Sequence, residues 1–361
     1  MSRNRDFGAA ASSLAAPSSS YNGYAHVVDT TQASGWNLAP YNNFNFLING
    51  GADHWQRGTT WTADNKFLAD RWYWTGTNGG GQSTDVPSGV GLTYSMSFTG
   101  TNTAYPRLAY YMPANEATFL AGKTVTMSFW AKNISGTAVL YTEQQTPQTP
   151  GVFNSSVSSF TSKVHANAGA MSTSWQYYTW TFVINALAAT NGATFNIVRS
   201  TESASSTLVT GIKLELGSVA TPFTRNGGDL AGELLKCQKY YEKSYSQNEA
   251  VGAASSLGSG TIGNITTSTV GNNVAGNIAG INMLPFKVTK RITPIVTTYD
   301  YDGTANAVRL YPADAKKTGV TGLSNIKDSG SFQFMSFSAT PTAISSGNNV
   351  MFHWTADAEV L

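Results

Sequence analysis

The sequence predicts an all-β protein in which an extended N-terminal arm precedes two antiparallel β-sandwiches joined by one helix. Three observations lead to this class. Apolar and polar residues alternate along many short segments, which is the pattern of half-buried strands. Clusters of Gly, Asn, Ser and Pro separate these segments, as turns do. Only 12% of the 361 residues are charged, about half the usual share, and this suits sheets whose outer faces carry Thr, Ser and Asn.

Residues 1–44 form the predicted arm, because they are rich in Ala, Ser, Asn and Tyr and show no period of 3.6 or 2. Alone, such a segment buries too little apolar surface to offset the entropy lost on ordering. It is therefore either disordered or ordered only against a partner, and we favour the second interpretation. Isolated aromatic side chains would then fill pockets on the partner: Phe7, Tyr21, Tyr24 and Trp36.

Residues 45–225 are predicted to form the first sandwich from seven or eight short strands. In Lys123–Lys132 the apolar side chains share one face, while Trp130 lies on the other face with Thr and Ser. Ser174–Ile184 repeats this alternation and puts Trp180 on its apolar face. The same counting assigns Trp72 and Trp74 to the core rather than to a binding surface.

The closing strand of this sandwich is predicted from the alternation in Ile212–Leu216. Ile212, Leu214 and Leu216 share one face of the strand, so Lys213 and Glu215 are expected to point outward.

Residues 226–245 contain the predicted linking helix. Asp229 can cap its N-terminus, and an apolar stripe follows at helical spacing: Leu230, Leu234, Cys237 and Tyr241. Strand patterns return over residues 246–361, with Gly/Ser/Asn-rich turns between them, and predict a second, C-terminal β-sandwich.

Catalytic and metal-binding patterns are missing from the sequence. The acidic residues are scattered, the four histidines are isolated, and Cys237 is the single cysteine, so we predict neither an enzyme nor a metal site. A structural calcium ion at Asp70 or at the Asp residues near Trp74–Pro87 stays open as an alternative, against the simpler interpretation that Asp70 pairs with Arg57 or Arg71 or accepts backbone N–H bonds. The net charge of +2 gives no reason to expect a nucleic-acid partner.

Aromatic residues carry the positive binding signal. Trp and Tyr rings stack on the apolar faces of sugars while neighbouring amides and hydroxyls bind the sugar hydroxyls. The candidate glycan contacts are the aromatic residues that the strand patterns leave at surfaces and loops: Trp130, Tyr141, Tyr177, Tyr299, Tyr301 and Tyr311. For each of them, a core or turn position is the alternative.

Three groups of segments resemble segments of a known protein family. They are Leu47–Gly51 with Trp55–Gly58 and Ala69–Trp72; Ile212–Phe223 running into Cys237–Glu242; and Leu284–Pro294 followed by Ile295–Tyr299. Together they resemble bacteriophage tail-fibre or receptor-binding-type virion proteins, in which a carbohydrate-binding-module-like jelly roll precedes a helix and a C-terminal β domain. The resemblance covers roughly residues 45–300.

The resemblance implies a non-enzymatic structural protein of the virion, of the tail-fibre or host-recognition type. Residues 1–44 would attach to other virion proteins, the chain would form a homotrimer, and its surface would bind a host glycan. Neither a signal-peptide pattern nor an apolar run long enough to span a membrane is present, so we expect assembly in the host cytoplasm. A capsid-attached fibre or decoration protein without a receptor, and a glycan-cleaving tail protein, stay open as alternatives.

Overall fold

The computed structural model describes the chain from residue 43 to residue 359, with short gaps. The described ranges are 43–61, 65–67, 69–76, 79–100, 106–135, 138–153, 156–167, 170–200, 205–262, 265–270, 273–278, 283–311, 315–340 and 349–359. The predicted arm contacts Phe7, Tyr21, Tyr24 and Trp36 lie outside these residues, so their role stays a prediction.

The first part of the chain is a sandwich of two six-stranded antiparallel sheets. Its strands are β1 (Thr60–Trp61), β2 (Lys66–Phe67), β3 (Trp72–Thr75), β4 (Gly80–Ser83), β5 (Ser95–Gly100), β6 (Arg107–Met112), β7 (Thr124–Ser135), β8 (Val139–Pro147), β9 (Val157–Ala166), β10 (Gln176–Val183), β11 (Ala193–Ser200) and β12 (Ser205–Leu216). The first sheet has the order β1-β4-β5-β12-β7-β10, and the second has the order β2-β3-β6-β11-β8-β9. Between β5 and β12 all but one of the connections cross from one sheet to the other, which confirms the predicted jelly-roll-like sandwich.

The core lies between these sheets and follows the predicted alternation. Trp72 and Trp74 are completely buried, and Trp180 is 6% exposed, so their assignment to the core is confirmed. The inward residues of β7 are buried as well, while its outward residues face solvent or covering loops: the inward set is Val125, Met127, Phe129 and Ala131.

The described residues include three helices: α1 (Ala114–Ala117), α2 (Ala188–Asn191) and α3 (Leu230–Gln238). The first two are single turns between strands, and the sequence analysis did not predict them. In the part of the chain that the structure describes, no helix combines the length and apolar character needed to cross a membrane.

Helix α3 is shorter than its apolar spacing predicts. Asp229 caps it as expected, its Oδ1 accepting a bond from the Gly232 N–H at 2.7 Å. The helix ends at Gln238, and Tyr241 already belongs to the next strand. Leu230 is 51% exposed, whereas Glu233 is buried. The orientation follows from hydrogen bonding, because the Glu233 carboxylate accepts bonds from two backbone N–H groups, those of Asn49 and Gly227.

The C-terminal part is one ten-stranded antiparallel sheet, whose strands fall into two hydrogen-bonded groups. They are β13 (Tyr241–Lys243), β14 (Gly260–Ile262), β15 (Ile265–Val270), β16 (Asn273–Ile278), β17 (Met283–Pro285), β18 (Ile295–Tyr299), β19 (Val308–Tyr311), β20 (Ala315–Lys327), β21 (Ser331–Thr340) and β22 (Asn349–Asp357). Strand β22 pairs with β13, β14, β18 and β19, while β21 pairs with β16, β17 and β20. The β19–β20 pairing joins the groups. Phe332 of β21 packs on Trp354 of β22 with ring centroids 5.4 Å apart, so the two groups share an aromatic core.

The Gly- and Trp-rich segment between residues 46 and 74 packs against this C-terminal part. The Arg71 guanidinium is buried, lies 3.5 Å from the ring centroid of Tyr240, and forms an ion pair with Glu359. The Arg57 guanidinium lies 3.7 Å from the ring centroid of Tyr241 and 3.5 Å from Glu359. The segment is therefore a joint between the first sandwich and the end of the chain.

Candidate functional site

Two of the predicted aromatic contacts lie side by side on the first sheet. Trp130 of β7 and Tyr177 of β10 are directly opposite in the antiparallel register, and their ring centroids are 5.1 Å apart. Tyr177 is 41% exposed and Trp130 is half-buried. Since side chains alternate across a sheet, both rings stand on the outer face, away from the core.

A β-bulge in β12 supports Trp130 from the other side. The register between β12 and β7 shifts between Thr210 and Lys213, and Gly211 within this bulge has a φ of 63°. A Cβ atom added at Gly211 would lie 3.3 Å from Cδ1 of Trp130 and 3.0 Å from Cδ1 of Leu92. The glycine therefore allows the bulge backbone to approach the indole closely, which positions the ring.

Three more side chains extend this surface, which we call the Trp130 face: Trp130, Tyr177, Trp175, Lys132 and Asp85. The indole N–H of Trp175 donates to Oδ1 of Asp85 at 3.0 Å, and Lys132 forms an ion pair with the same carboxylate. The hydrogen bond from Lys132 lowers the pKa of Asp85 below its usual value. Because the two charges pair with each other, the Trp130 face has no net formal charge.

A shallow, largely open cavity of about 490 Å³ lies beside Tyr177. We call it the Tyr177 cavity, and its walls combine aromatic with small polar groups: His165, Ala166, Asn167, Ala170, Ser172, Gln176, Tyr177 and Tyr178. The His165 ring packs edge-on against Phe129 and Tyr178, and its Nε2 lies 2.9 Å from Oγ1 of Thr142. Burial lowers the pKa of His165 to about 4, so the imidazole is neutral near pH 7.

The sequence predicts the outward position of Trp130 and Tyr177 but not the cavity beside them. The residues that complete its wall come from the end of β9, the following loop and the start of β10, and none of them has a distinguishing motif. Their association depends on the pairing of β10 with β7 and on the approach of β9. The alternation of β10 was the only available signal, because it placed Tyr177 opposite the Trp180 face.

The arrangement fits a neutral, hydroxyl-rich ligand. Aromatic rings beside a concave wall offer stacking surfaces for pyranose faces, and the exposed amides of Asn167 and Gln176 can bind hydroxyl groups. The cavity volume lies within the range of about 300–1,000 Å³ for small-molecule sites. Neither the paired Lys132 and Asp85 nor the neutral His165 would specifically attract an ionic ligand.

Tyr141 lies apart from this surface, on the second sheet. It is half-buried in β8, opposite Val198 of β11 and Val164 of β9. Two residues further along the same strand, the buried Glu143 carboxylate accepts a hydrogen bond from the Asn196 amide at 3.1 Å. Because it belongs to the second sheet, Tyr141 does not share a site with Trp130 and Tyr177, which belong to the first.

Of the three tyrosines predicted in the C-terminal part, Tyr301 lines a cavity of about 510 Å³, together with Ala254, Ser255, Ser256, Leu257 and Asp302. The Arg309 guanidinium lies 3.8 Å from the Tyr301 ring centroid and covers one face of that ring. Tyr299 packs edge-on against Tyr245 with centroids 6.1 Å apart. Tyr311 pairs with Asn349, and its side chain lies outside the described part of the structure.

Asp70, the residue considered for calcium, is enclosed by protein groups. Its carboxylate accepts hydrogen bonds from the backbone N–H and side-chain amide of Gln56 at 3.2 and 2.8 Å, and Arg57 lies 3.8 Å away. This is the charge pairing that the sequence analysis gave as the simpler interpretation. Across the described ranges, no three His, Cys, Asp or Glu side chains cluster in a way that could hold a metal ion.

Comparisons with known proteins give loose structural similarities. The sequence matches no protein-family model and no curated protein. Similar solved structures include the enzymatically active domain of tailspike protein 4 from bacteriophage CBA120, at 14% identity and a TM-score of 0.33, over 48% of this chain and 22% of that chain. Another is the CBM22-1 xylan-binding domain of Paenibacillus barcinonensis Xyn10C, at 14% identity and a TM-score of 0.31, over 49% and 96% of the chains.

A third similar structure is the C-terminal family 22 carbohydrate-binding module of Clostridium thermocellum Xyn10B. It has 11% identity and a TM-score of 0.33, over 46% of this chain and 98% of that chain. Similarities at this level assign neither a family nor an activity to the chain.

Proposed function

We propose that this protein is a non-enzymatic structural component of a bacteriophage virion, of the tail-fibre or host-recognition type, and that its Trp130 face binds a neutral glycan of the host surface. The observation that carries the binding role is the pairing of Trp130 with Tyr177, a ring that also lines the Tyr177 cavity. The virion role is supported by the resemblance of the sequence segments given above.

The chemistry of the Trp130 face supports a neutral sugar. Its single ammonium group is paired with its single carboxylate, so binding an ionic sugar would mean breaking that pair. Stacking on Trp130 and Tyr177 requires only an apolar pyranose face, and such contacts contribute about 0.5–1.5 kcal/mol beyond the area they bury. One copy of such a site binds weakly, so we also propose a homotrimer in which several sites act together.

The binding role is tested with Trp130→Ala and Tyr177→Ala. We expect each variant to lose at least about tenfold in affinity for a neutral oligosaccharide selected on a glycan array, since a stacking ring contributes above 1.4 kcal/mol where it also excludes water. Phe160→Ala is the matched control, because Phe160 is 54% exposed on the edge strand of the other sheet. Equal glycan binding by all three variants and the wild-type protein would contradict the proposal.

The virion role and the absence of catalysis need separate measurements. Chemical cross-linking of intact virions should join residues 1–44 to another virion protein. Light scattering of the purified protein should give the mass of a trimer. A monomer at micromolar concentration contradicts the trimer. Release of reducing ends from host surface polysaccharide would instead favour the glycan-cleaving alternative, whereas attachment to the capsid without glycan binding would favour a decoration protein.

A further inference from the structure

Lys213 does not point into solvent as its strand position predicts. It stands on the outer face of β12, but its ammonium group contacts Asn43, Thr221 and the backbone oxygen of Pro222, and its side chain is fully buried. Its Nζ lies 2.5 Å from the side-chain oxygen of Asn43 and 3.2 Å from Oε2 of Glu215. Glu215, also expected to point outward, is 2% exposed. A buried amine, a carboxamide and a carboxylate thus meet in one place.

The Asn43 carboxamide is held as an electrophile would be. Its Oδ1 accepts a hydrogen bond from Lys213 Nζ and lies 2.7 Å from Oγ1 of Thr221, whose single proton goes either to this oxygen or to Oε2 of Glu215. When Thr221 donates its proton to Oδ1, the hydroxyl stabilises the negative charge that develops on this oxygen as Nζ attacks the carbon. Because a C=O bond measures about 1.23 Å, Nζ lies at most about 3.7 Å from Cγ of Asn43, close to the separation of about 3–3.5 Å in near-attack geometries.

Glu215 contacts both the amine and the hydroxyl that orient this arrangement. Its Oε1 accepts a hydrogen bond from the Thr221 N–H at 2.8 Å, and its Oε2 lies 2.5 Å from Oγ1 of Thr221. The carboxylate is therefore fixed beside Nζ and can take up a proton. Burial lowers the pKa of Lys213 below its usual value, which increases the fraction of free amine.

We propose that Lys213 and Asn43 form an intramolecular isopeptide bond, with Glu215 as the catalytic proton carrier. Glu215 takes a proton from the Lys213 ammonium group, and the freed electron pair of Nζ attacks Cγ of Asn43. The Cγ–Nδ2 bond breaks, and Nδ2 leaves with the protons that Glu215 relays. An ammonium group and a primary amide thereby become a secondary amide and an ammonium ion. No oxidant or other co-reactant is consumed.

The bond would join the segment that leads into the sandwich to the last strand of the sandwich. Asn43 lies at the C-terminal end of the predicted arm, and Lys213 lies in β12, a few residues before the chain leaves the sandwich. A pulling force applied through the arm would then pass from Asn43 to Lys213 without separating the strands between them. The cross-link would also close a loop of the unfolded chain, which stabilises the folded domain.

Mass spectrometry of the full-length protein tests the bond directly. Loss of ammonia lowers the mass by about 17 Da per bond. After trypsin digestion, we expect peptide 6–57 to be joined to peptide 200–225, with no cleavage after Lys213. Recovery of peptides 6–57, 200–213 and 214–225 as separate species from folded, aged protein would overturn the proposal.

Three variants separate the bond from other sources of the same mass loss, such as succinimide formation at Asn-Gly pairs. Lys213→Arg removes the nucleophile and Glu215→Gln removes the proton carrier, and both should give the full sequence mass. Asn43→Gly removes the electrophile at a half-buried position whose φ of 61° suits glycine, so it should fold even where the core variants do not. A loss of about 17 Da that persists in Lys213→Arg or Asn43→Gly would also overturn the proposal.

Discussion

Neutralising Glu359 should strongly destabilise the buried joint between the first sandwich and the end of the chain. Glu359 forms an ion pair with the buried Arg71 and lies 3.5 Å from Arg57, and its side chain is 3% exposed. The Arg71 guanidinium also donates to the backbone oxygen of Tyr111 at 2.6 Å. In Glu359→Gln the hydrogen-bond acceptor persists, but a buried cation loses its counter-ion. Removing one partner of a buried pair costs about 3–5 kcal/mol.

This magnitude can be measured by urea unfolding followed by tryptophan fluorescence. With a slope of about 3 kcal/mol per M urea, the midpoint of Glu359→Gln should fall by about 1–1.7 M. Asp302→Asn is the matched control, because Asp302 pairs with Arg309 but its side chain is 46% exposed. It should cost no more than about 1 kcal/mol. If the two variants have the same midpoint, the joint does not depend on a buried charge pair and the reasoning is wrong.

Three further predictions follow from named contacts. Gly50→Ala should cost about 3 kcal/mol in thermal unfolding, because its Cβ would lie 1.9 Å from the Ile212 backbone oxygen, whereas Gly89→Ala, in open space at a φ of 78°, should cost about 1 kcal/mol. Asp229→Ala should cost about 1 kcal/mol by removing the α3 cap, and Asp229→Ser should restore most of it; equal losses would exclude capping. Burial lowers the pKa of His165 from an ordinary 6.5 to about 4 in the folded protein. As the pH falls, His165 is therefore protonated first in the unfolded chain, which favours unfolding. The free energy of unfolding of the wild-type protein should fall by about 2 kcal/mol between about pH 6.5 and 4, allowing for partial exposure. His165→Asn should lack this fall, and parallel pH profiles would refute the assignment.

The strand faces could be predicted from the sequence because a strand has a fixed period of two. That period placed Trp72, Trp74 and Trp180 in the core and Trp130 with Tyr177 on the outer face, and the structure agrees. The N-cap at Asp229 was equally local, since one side chain and the N–H three residues later define it. The same approach placed the helix end too late, because Tyr241 fits the helical spacing but pairs with Asp357 instead.

The alternation also placed Lys213 and Glu215 correctly on the outer face of β12, yet their burial was not predictable. An outer face is exposed only when no other segment lies over it, and residues 43 and 221 reach β12 from distant parts of the sequence. The Tyr177 cavity has the same origin, because β9 and β10 meet there only when both sheets are in place.

Sequence periodicity was enough to predict the all-β class, the faces of the strands and the outward position of Trp130 and Tyr177. These properties depend on the periodicity of neighbouring residues, which folding does not change. The tertiary structure alone decided that the Gly- and Trp-rich segment forms a joint with Glu359, that His165 and Gln176 complete a cavity, and that Lys213 meets Asn43. Each of these depends on side chains that are far apart in the sequence, and only long-range packing brings them into contact.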